Sequence, residues 1–137
     1  SVFNCYSPTD AANEYEINAF HSQLEEVIRN DKTCHKLVVG GFNAIIEKAN
    51  ENEHRIGNYG LGGRNENGNR LAGLLSAPRL FHGNSFFQQK ESRRWTWESP
   101  NGMTHVDIDH ILTNRRRCLL DTSVVPSFCT CSNHHLL

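Results

Sequence analysis

Three polar side chains lie where they could take part in chemistry. Asn43 follows the apolar run 37–42, which has the length and the glycine boundaries of a buried strand that ends at a functional site. Asp109 lies between apolar residues on a second strand-like segment, where a carboxylate is costly unless it binds a cation or a hydrogen-bond donor. His134, beside His135, could be a metal ligand or a general base. These residue types favour acid–base or metal-assisted chemistry.

Each of these residues also has a structural interpretation. Asp109 could form an ion pair with an arginine. His134 and His135 could be surface residues, since adjacent side chains on a strand face opposite ways. Cys129 and Cys131 precede this pair, but four potential ligands so close in sequence do not match the usual spacing of a zinc site. The residues alone leave these alternatives open.

Charge is divided unevenly between two parts of the chain. Residues 1–60 contain 5 Lys/Arg and 9 Asp/Glu, whereas 61–137 contain 9 and 6, although the net charge of the chain is only −1. A basic, arginine-rich half is compatible with binding to phosphate groups. The run Arg115, Arg116 and Arg117 could be such a phosphate-binding surface or a solvated loop.

The apolar pattern predicts the elements that would position these side chains. Helices are expected at 10–30, with Val27 on the apolar stripe, and at 69–77, and a long loop at 44–68. Strands are expected at 2–6, 36–39, 80–82, 85–87, 94–98, 106–112 and 119–125. This order indicates a mixed α/β (α+β) fold, with an antiparallel-rich sheet covered by helices, in one domain. No apolar run reaches the roughly 18 residues of a membrane span.

Seven short motifs follow one another along the chain. They are Tyr-Ser-Pro-Thr at 6–9, Gly-Gly-Phe-Asn at 40–43, Arg-Asn-Glu-Asn-Gly-Asn-Arg-Leu at 64–71, Gly-Asn-Ser-Phe-Phe at 83–87, Trp-Thr-Trp-Glu-Ser-Pro at 95–100, Ile-Asp-His-Ile-Leu at 108–112 and Ser-Asn-His-His-Leu-Leu at 132–137. In this order they resemble the endonuclease/exonuclease/phosphatase superfamily. The series is most similar to the endonuclease domains of LINE-type retrotransposons and to craniofacial-development-protein-2-like proteins. The resemblance implies a DNase-I-like sandwich of two β-sheets flanked by helices.

The same resemblance implies a metal-dependent nuclease chemistry. Members of the superfamily hydrolyse phosphodiester or phosphomonoester bonds with Mg²⁺ or Mn²⁺, and DNA is the expected partner. In such a site a cation neutralises the phosphate, a carboxylate orients water, and a histidine stabilises the charged transition state. A DNA substrate favours an intracellular location, with the nucleus as one option.

Individual positions acquire roles from the matching motifs. Tyr6 would contact the scissile phosphate, and Asn43 would position phosphate and water. Thr96 would lie at the edge of the site, near the nucleic-acid backbone. Asp109 would hold the catalytic His134 in its productive tautomer.

Nucleic-acid contacts are expected from two arginine-containing segments. Segment 64–70, with Arg64 and Arg70, would help to shape the substrate loop. Arg115, Arg116 and Arg117 would contact phosphates.

Three departures from the family pattern bear on activity. Gly41 stands where the family has a catalytic Asp, and Asn133 stands where it has a second carboxylate beside the metal. As an amide, Asn133 would be a weak metal ligand. The N-terminal part of the family fold, with its metal-binding Glu, would precede Tyr6 and is expected to be absent. Since positioned acid–base groups contribute roughly 10²–10⁴-fold, we expect catalysis to be impaired.

Three hypotheses are compatible with this pattern. The chain could be a nuclease-family domain of a mobile element, a non-catalytic remnant that binds nucleic acid or protein, or a truncated product without function. Metal-dependent nicking of plasmid DNA separates the first from the others.

Overall fold

Two helices and two small sheets form the fold in the computed structural model, which describes residues 1–125 and 131–137. The α+β class predicted from the sequence is confirmed. The strands are β1 (Val2–Tyr6), β2 (Leu37–Gly41), β3 (Phe81–His82), β4 (Trp97–Glu98), β5 (His105–Val106) and β6 (Asp109–Thr113), and the helices are α1 (Glu14–Asn30) and α2 (Glu66–Leu74). Short 3₁₀ segments cover Gly83–Phe86, Glu91–Arg93 and Arg116–Cys118.

The main sheet has the strand order β1-β2-β6-β3. β1 is parallel to β2, whereas β6 is antiparallel to both β2 and β3. The carboxyl ends of β1 and β2 therefore lie beside the amino end of β6. β4 and β5 form a separate antiparallel pair.

One face of the main sheet is buried against the helices. Val38 of β2 and Leu112 of β6 are fully buried, and they belong to the same apolar cluster as Ile28 of α1 and Leu71 of α2. On the opposite face, Val2 and Tyr6 are 70% and 66% exposed. This division follows from the period-2 alternation of strand side chains.

Helix boundaries differ from the predicted ones because asparagine side chains cap both helices. Asn13, rather than Asp10, caps α1, and its Oδ1 accepts the N–H of Glu16. Asn65 caps α2 by accepting the N–H of Gly68, so this helix begins earlier than expected. Val27 is 53% exposed, so its predicted place in the apolar stripe of α1 was wrong.

Three strand predictions need correction. The strand expected at 106–112 is interrupted at 107–108, between β5 and β6. Here Oγ1 of Thr96 accepts the backbone N–H groups of Ile108 and Asp109. Segment 85–87 begins in the 3₁₀ turn Gly83–Phe86 instead of a strand. In 119–125 only Val125 makes a β-bridge, to Leu136.

Candidate functional site

Residues from several of the seven motifs converge at one end of the main sheet. Tyr6 of β1 is in register with Gly41 of β2, and Gly41 is in register with Asp109 of β6. The parallel pairing of β1 with β2 and the antiparallel pairing of β6 bring these three positions together on one face. His134 joins them from the C-terminal segment.

A short hydrogen bond links Asp109 to His134. The distance from Oδ2 of Asp109 to Nδ1 of His134 is 2.8 Å, and the two side chains are 21% and 36% exposed. A carboxylate in this position accepts the Nδ1–H and fixes both the tautomer and the orientation of the imidazole. This is the contact that the family resemblance implied, and it excludes the ion pair with an arginine as the main partner of Asp109.

Thr96 is fully buried and acts as a clamp beneath this pair. Its Oγ1 accepts the backbone N–H groups of Ile108 and Asp109, each at 3.1 Å. Its carbonyl oxygen accepts the N–H of His135 at 2.6 Å. The Thr96 side chain therefore contacts the protein itself, and its proximity to a nucleic-acid backbone stays a prediction.

Backbone contacts hold the C-terminal segment against β4. His134 makes an antiparallel bridge to Trp97, and the N–H of Glu98 donates to the carbonyl of Asn133. The side chain of Asn133 is exposed beside the site.

Asn43 lies just past β2 and organises the loop that follows. Its φ of 49° is in the left-handed region, which asparagine tolerates better than most residues. The side-chain Nδ2 donates to the carbonyl of Ser7 at 2.9 Å. The carbonyl of Asn43 accepts from Nδ2 of both Asn65 and Asn67. Through its side chain and its backbone carbonyl, Asn43 thus connects the ends of β1 and β2 to the start of α2.

Gly41 leaves a defined gap between its two neighbours. A Cβ built at this position would lie 3.1 Å from Oδ1 of Asp109 and 3.1–3.2 Å from the ring of Tyr6. A side chain at position 41 would therefore point into the site, on the face that Asp109 and Tyr6 share. The resemblance placed a catalytic carboxylate here, and the backbone direction is compatible with one.

The residues present do not fit a divalent cation. Within 1–125 and 131–137, no group of three or more His, Cys, Asp or Glu side chains could hold a metal ion. Mg²⁺ requires several oxygen ligands, whereas Asp109 already binds His134 and Gly41 supplies no ligand. The zinc alternative included Cys129, which lies outside the described residues.

A buried pair of histidines lies behind the site and was missed by the sequence reasoning. Nε2 of His82 is 2.8 Å from Nδ1 of His110, and Nε2 of His110 is 2.7 Å from the carbonyl oxygen of Ala44. The rings are 2% and 1% exposed. Burial, followed by the proximity of His110, holds the pKa of His82 well below its usual value. The available signal was that His110 faces opposite to Asp109 on β6.

A second buried polar group lies next to this pair. Nδ2 of Asn84 donates to Oδ1 of Asp107 at 3.2 Å and to the carbonyl of Asp109 at 2.9 Å. Burial raises the pKa of Asp107, although the nearby His110 and Arg94 act in the opposite direction. These contacts hold the backbone on either side of Asp109.

Arg64 and Arg70 bind other parts of the protein. Arg64 forms a two-pronged ion pair with Glu53, at 2.6 and 2.8 Å, and donates to the carbonyl of Ile46. Arg70 donates to Asn18 and Asn67, and its side chain is only 17% exposed. The donors of both residues therefore stabilise the loop and the helix contact, and their binding to nucleic acid stays a prediction.

Arg115, Arg116 and Arg117 are exposed, but they lie at the far end of β6 from Asp109. The four residue steps from Asp109 to Thr113 span roughly 13 Å at the usual strand rise. This run is therefore separate from the Asp109–His134 pair.

Sequence comparison relates the whole chain to two curated proteins. It is 31% identical over 139 residues to craniofacial development protein 2 of Bos taurus and 30% identical over 139 residues to that of Tragulus javanicus. The chain is homologous to craniofacial development protein 2. All of the chain is covered in both alignments, but it spans only 23% and 24% of the two relatives. No model of a known protein family matches the chain.

Membrane insertion receives no support from the helices. Neither α1 nor α2, which are the α-helices of the described residues, has the length and apolar composition needed to cross a bilayer.

Proposed function

We propose that this chain is part of an endonuclease-type phosphodiesterase domain of a retrotransposon-derived protein, in which hydrolysis of DNA is impaired. The observation that carries the proposal is the Asp109–His134 hydrogen bond beside Tyr6 and Gly41. Asp109 and His134 are 25 residues apart, and Tyr6 and Gly41 are farther still in sequence. Four motif positions thus meet at one end of the sheet, and they include the carboxylate–imidazole contact that the family resemblance implies.

The local geometry suits an extended phosphodiester. A groove of about 490 Å³ is lined by Tyr6, Asp109, His134 and their neighbours. Its size and open shape are compatible with a nucleic-acid strand, and the exposed ring of Tyr6 borders it. His134, oriented by Asp109, would stabilise negative charge on a phosphate in this groove.

Impairment follows from the groups that the chain lacks at two positions. Gly41 provides no carboxylate to orient water, and the amide of Asn133 carries no charge for a cation. Each positioned acid–base group typically contributes 10²–10⁴-fold to rate. In the superfamily that the motifs resemble, Mg²⁺ or Mn²⁺ would supply charge neutralisation, and the described residues contain no group of three or more His, Cys, Asp or Glu side chains that could hold such an ion.

A plasmid-nicking assay on the 137-residue chain tests the proposal. The wild-type chain should nick supercoiled DNA no faster with Mg²⁺ or Mn²⁺ than with EDTA. Placed in a chain that also carries the N-terminal part of the family fold, the variant G41D/N133D should gain EDTA-sensitive nicking that His134→Ala abolishes. EDTA-sensitive nicking by the wild type would contradict the impairment, and a G41D/N133D variant without any gain would contradict the assigned roles.

A further inference from the structure

We infer that Arg115, Arg116 and Arg117, here called the arginine cluster, bind the sugar-phosphate backbone of nucleic acid at a surface separate from the Asp109–His134 pair. This inference does not depend on catalysis. It rests on the exposure, the ion-pairing and the surroundings of the three side chains.

The arginine cluster differs from Arg64, Arg70 and Arg94 in the same half of the chain. Arg64 and Arg70 form ion pairs, and Arg94 is buried and donates to the carbonyl groups of Asn84 and Phe87. All three arginines of the cluster are exposed. Among the described residues, none of the three forms a salt bridge. Their charge is therefore directed to solvent rather than neutralised within the protein.

Local structure fixes the backbone of the cluster. The N–H of Arg115 donates to Oγ1 of Thr113, and the carbonyl of Arg115 accepts the N–H of Cys118. The guanidinium carbon of Arg116 lies 4.1 Å from the centre of the Phe86 ring. A guanidinium stacked on an aromatic ring keeps N–H donors at its edge for a phosphate, at a reduced cost in side-chain entropy.

Further cations extend this surface on two sides. Segment 86–93 runs beside 116–124, as shown by the contacts of Gln89 with Asp121 and of Val124 with the carbonyl of Arg93. The pairing brings exposed Lys90 and Arg93 to the same side of the molecule.

On the other side, Arg115 and Lys36 line a cleft of about 350 Å³. Segments 86–93 and 115–124 together contain five cations and only two carboxylates. This excess of cations is expected for a surface that binds a polyanion, since nucleic-acid backbones present phosphates at regular short intervals.

Arginine is well suited to bind phosphate in such a setting. Its planar fork of donors matches phosphate oxygens in a bidentate manner. Because backbone contacts carry no sequence information, the binding should be insensitive to base sequence and strongly dependent on salt.

Fluorescence anisotropy with a labelled 20-base-pair DNA duplex tests this inference over a range of salt concentrations. Replacing the cluster (R115Q/R116Q/R117Q) should make the negative slope of log K against log salt shallower by about 2–3, roughly one per lost phosphate contact. The matched control R29Q/K32Q/K48Q removes the same charge from exposed positions elsewhere and should keep the wild-type slope. Thermal melts of both variants should remain cooperative, with small losses of stability where Arg116 no longer stacks on Phe86 and Arg29 no longer pairs with Glu25. Equal effects of the two triple variants, or no effect of either, would overturn the inference.

Three further measurements separate competing sources of the signal. H134A should bind the duplex with the wild-type slope of log K against log salt. A shallower slope would contradict the separation of the two surfaces. Binding to anionic lipid vesicles without binding to DNA would overturn the inference in favour of a membrane. Self-association that R115Q/R116Q/R117Q abolishes, without DNA binding, would overturn it in favour of the acidic half of a second copy. A failure of G41D/N133D to cleave DNA would leave these results unaffected.

Discussion

Gly41 lies directly opposite Asp109 across the β2–β6 pair, and a Cβ on Gly41 would approach Oδ1 of Asp109 to 3.1 Å. The nearest space for a side chain at position 41 is therefore next to an existing carboxylate. An acid at this position would create a pair of like charges that only a proton or a cation could relieve.

This relationship makes G41D and G41N an informative pair. The two side chains have nearly the same volume, so both variants meet the same steric contacts with Tyr6 and Asp109. The aspartate variant should be less stable at pH 7 by about 1–4 kcal/mol, the repulsion of two charges about 4 Å apart at effective dielectric constants of 80 to 20. Urea denaturation measures the difference in the free energy of unfolding.

The sign of the pH effect follows from the same repulsion. A neighbouring anion raises the pKa of the new carboxyl in the folded state, so its penalty is absent at low pH and grows as pH rises. Mg²⁺ should raise the stability of G41D but not of G41N. Equal stability of the two variants at pH 7 would contradict the placement of position 41 in the site.

Thr96→Val should destabilise the protein through the segment that carries Asp109. The substitution keeps the shape of the side chain but removes the oxygen that accepts two backbone N–H groups. Leaving such groups without a partner costs about 1–3 kcal/mol each. Urea denaturation gives the stability, and amide hydrogen exchange at Asp109 should accelerate.

Two variants control for the loss of packing. Thr96→Ser keeps the acceptor and should restore slow exchange at Asp109. Thr122 is also buried, but its Oγ1 has no hydrogen-bond partner among the described residues. Thr122→Val should therefore leave stability unchanged or raise it, because it removes a buried hydroxyl without a partner. A similar loss in T96V and T122V would show that Thr96 contributes only packing.

The sequence predicted the main strands because their apolar pattern is local. β1 was predicted with its observed bounds and β2 with a small shift, whereas the run predicted at 106–112 is divided between β5 and β6. The burial of Thr96 and the ion pair of Arg64 were not predictable from a local pattern. The alternation of Trp95, Thr96 and Trp97 predicts only that Thr96 faces away from both indoles, and its burial depends on contacts with Asp109 and His135, farther along the chain. Arg64 appears as a free cation until the loop brings Glu53 back to it.

The Asp109–His134 contact was predicted from the resemblance to a family, not from periodicity. No local rule brings residues 25 positions apart together when a segment outside the described residues lies between them. The role of the arginine cluster was left open by the sequence, because a phosphate-binding surface and a solvated loop have the same composition.

Acid should destabilise the protein through the buried His82. Its pKa is lowered in the folded state, so the unfolded chain binds the proton more readily. The stabilisation is present above the unfolded pKa of about 6.5 and is lost as pH falls, at up to about 1.4 kcal/mol per pH unit. Unfolding by urea between pH 7.5 and 5 measures this slope.

His82→Gln isolates that contribution. The glutamine amide can still donate to Nδ1 of His110, but it cannot take up a proton. The variant should therefore lose less stability than the wild type between pH 7.5 and 5. His54→Gln, at an exposed position, should keep the wild-type pH dependence. A H82Q slope as steep as that of the wild type would assign the acid sensitivity to other groups.

Arg64→Lys should loosen the long loop after β2 even though the charge is kept. Lysine cannot form the two-pronged pair with Glu53 and also reach the carbonyl of Ile46. Because Glu53 is partly exposed, the expected loss is only about 1–2 kcal/mol. Chymotrypsin should cleave the loop of the variant faster at Tyr59. The control Arg29→Lys, at an exposed pair with Glu25, should change neither the stability nor the rate of cleavage.

The pH dependence of this difference tests the ion pair itself. The hydrogen bonds from Arg64 lower the pKa of Glu53, so the advantage of Arg64 over lysine should be present at neutral pH and shrink as Glu53 becomes protonated in acid. A difference that stays constant down to pH 3 would mean that the ion pair does not hold the loop.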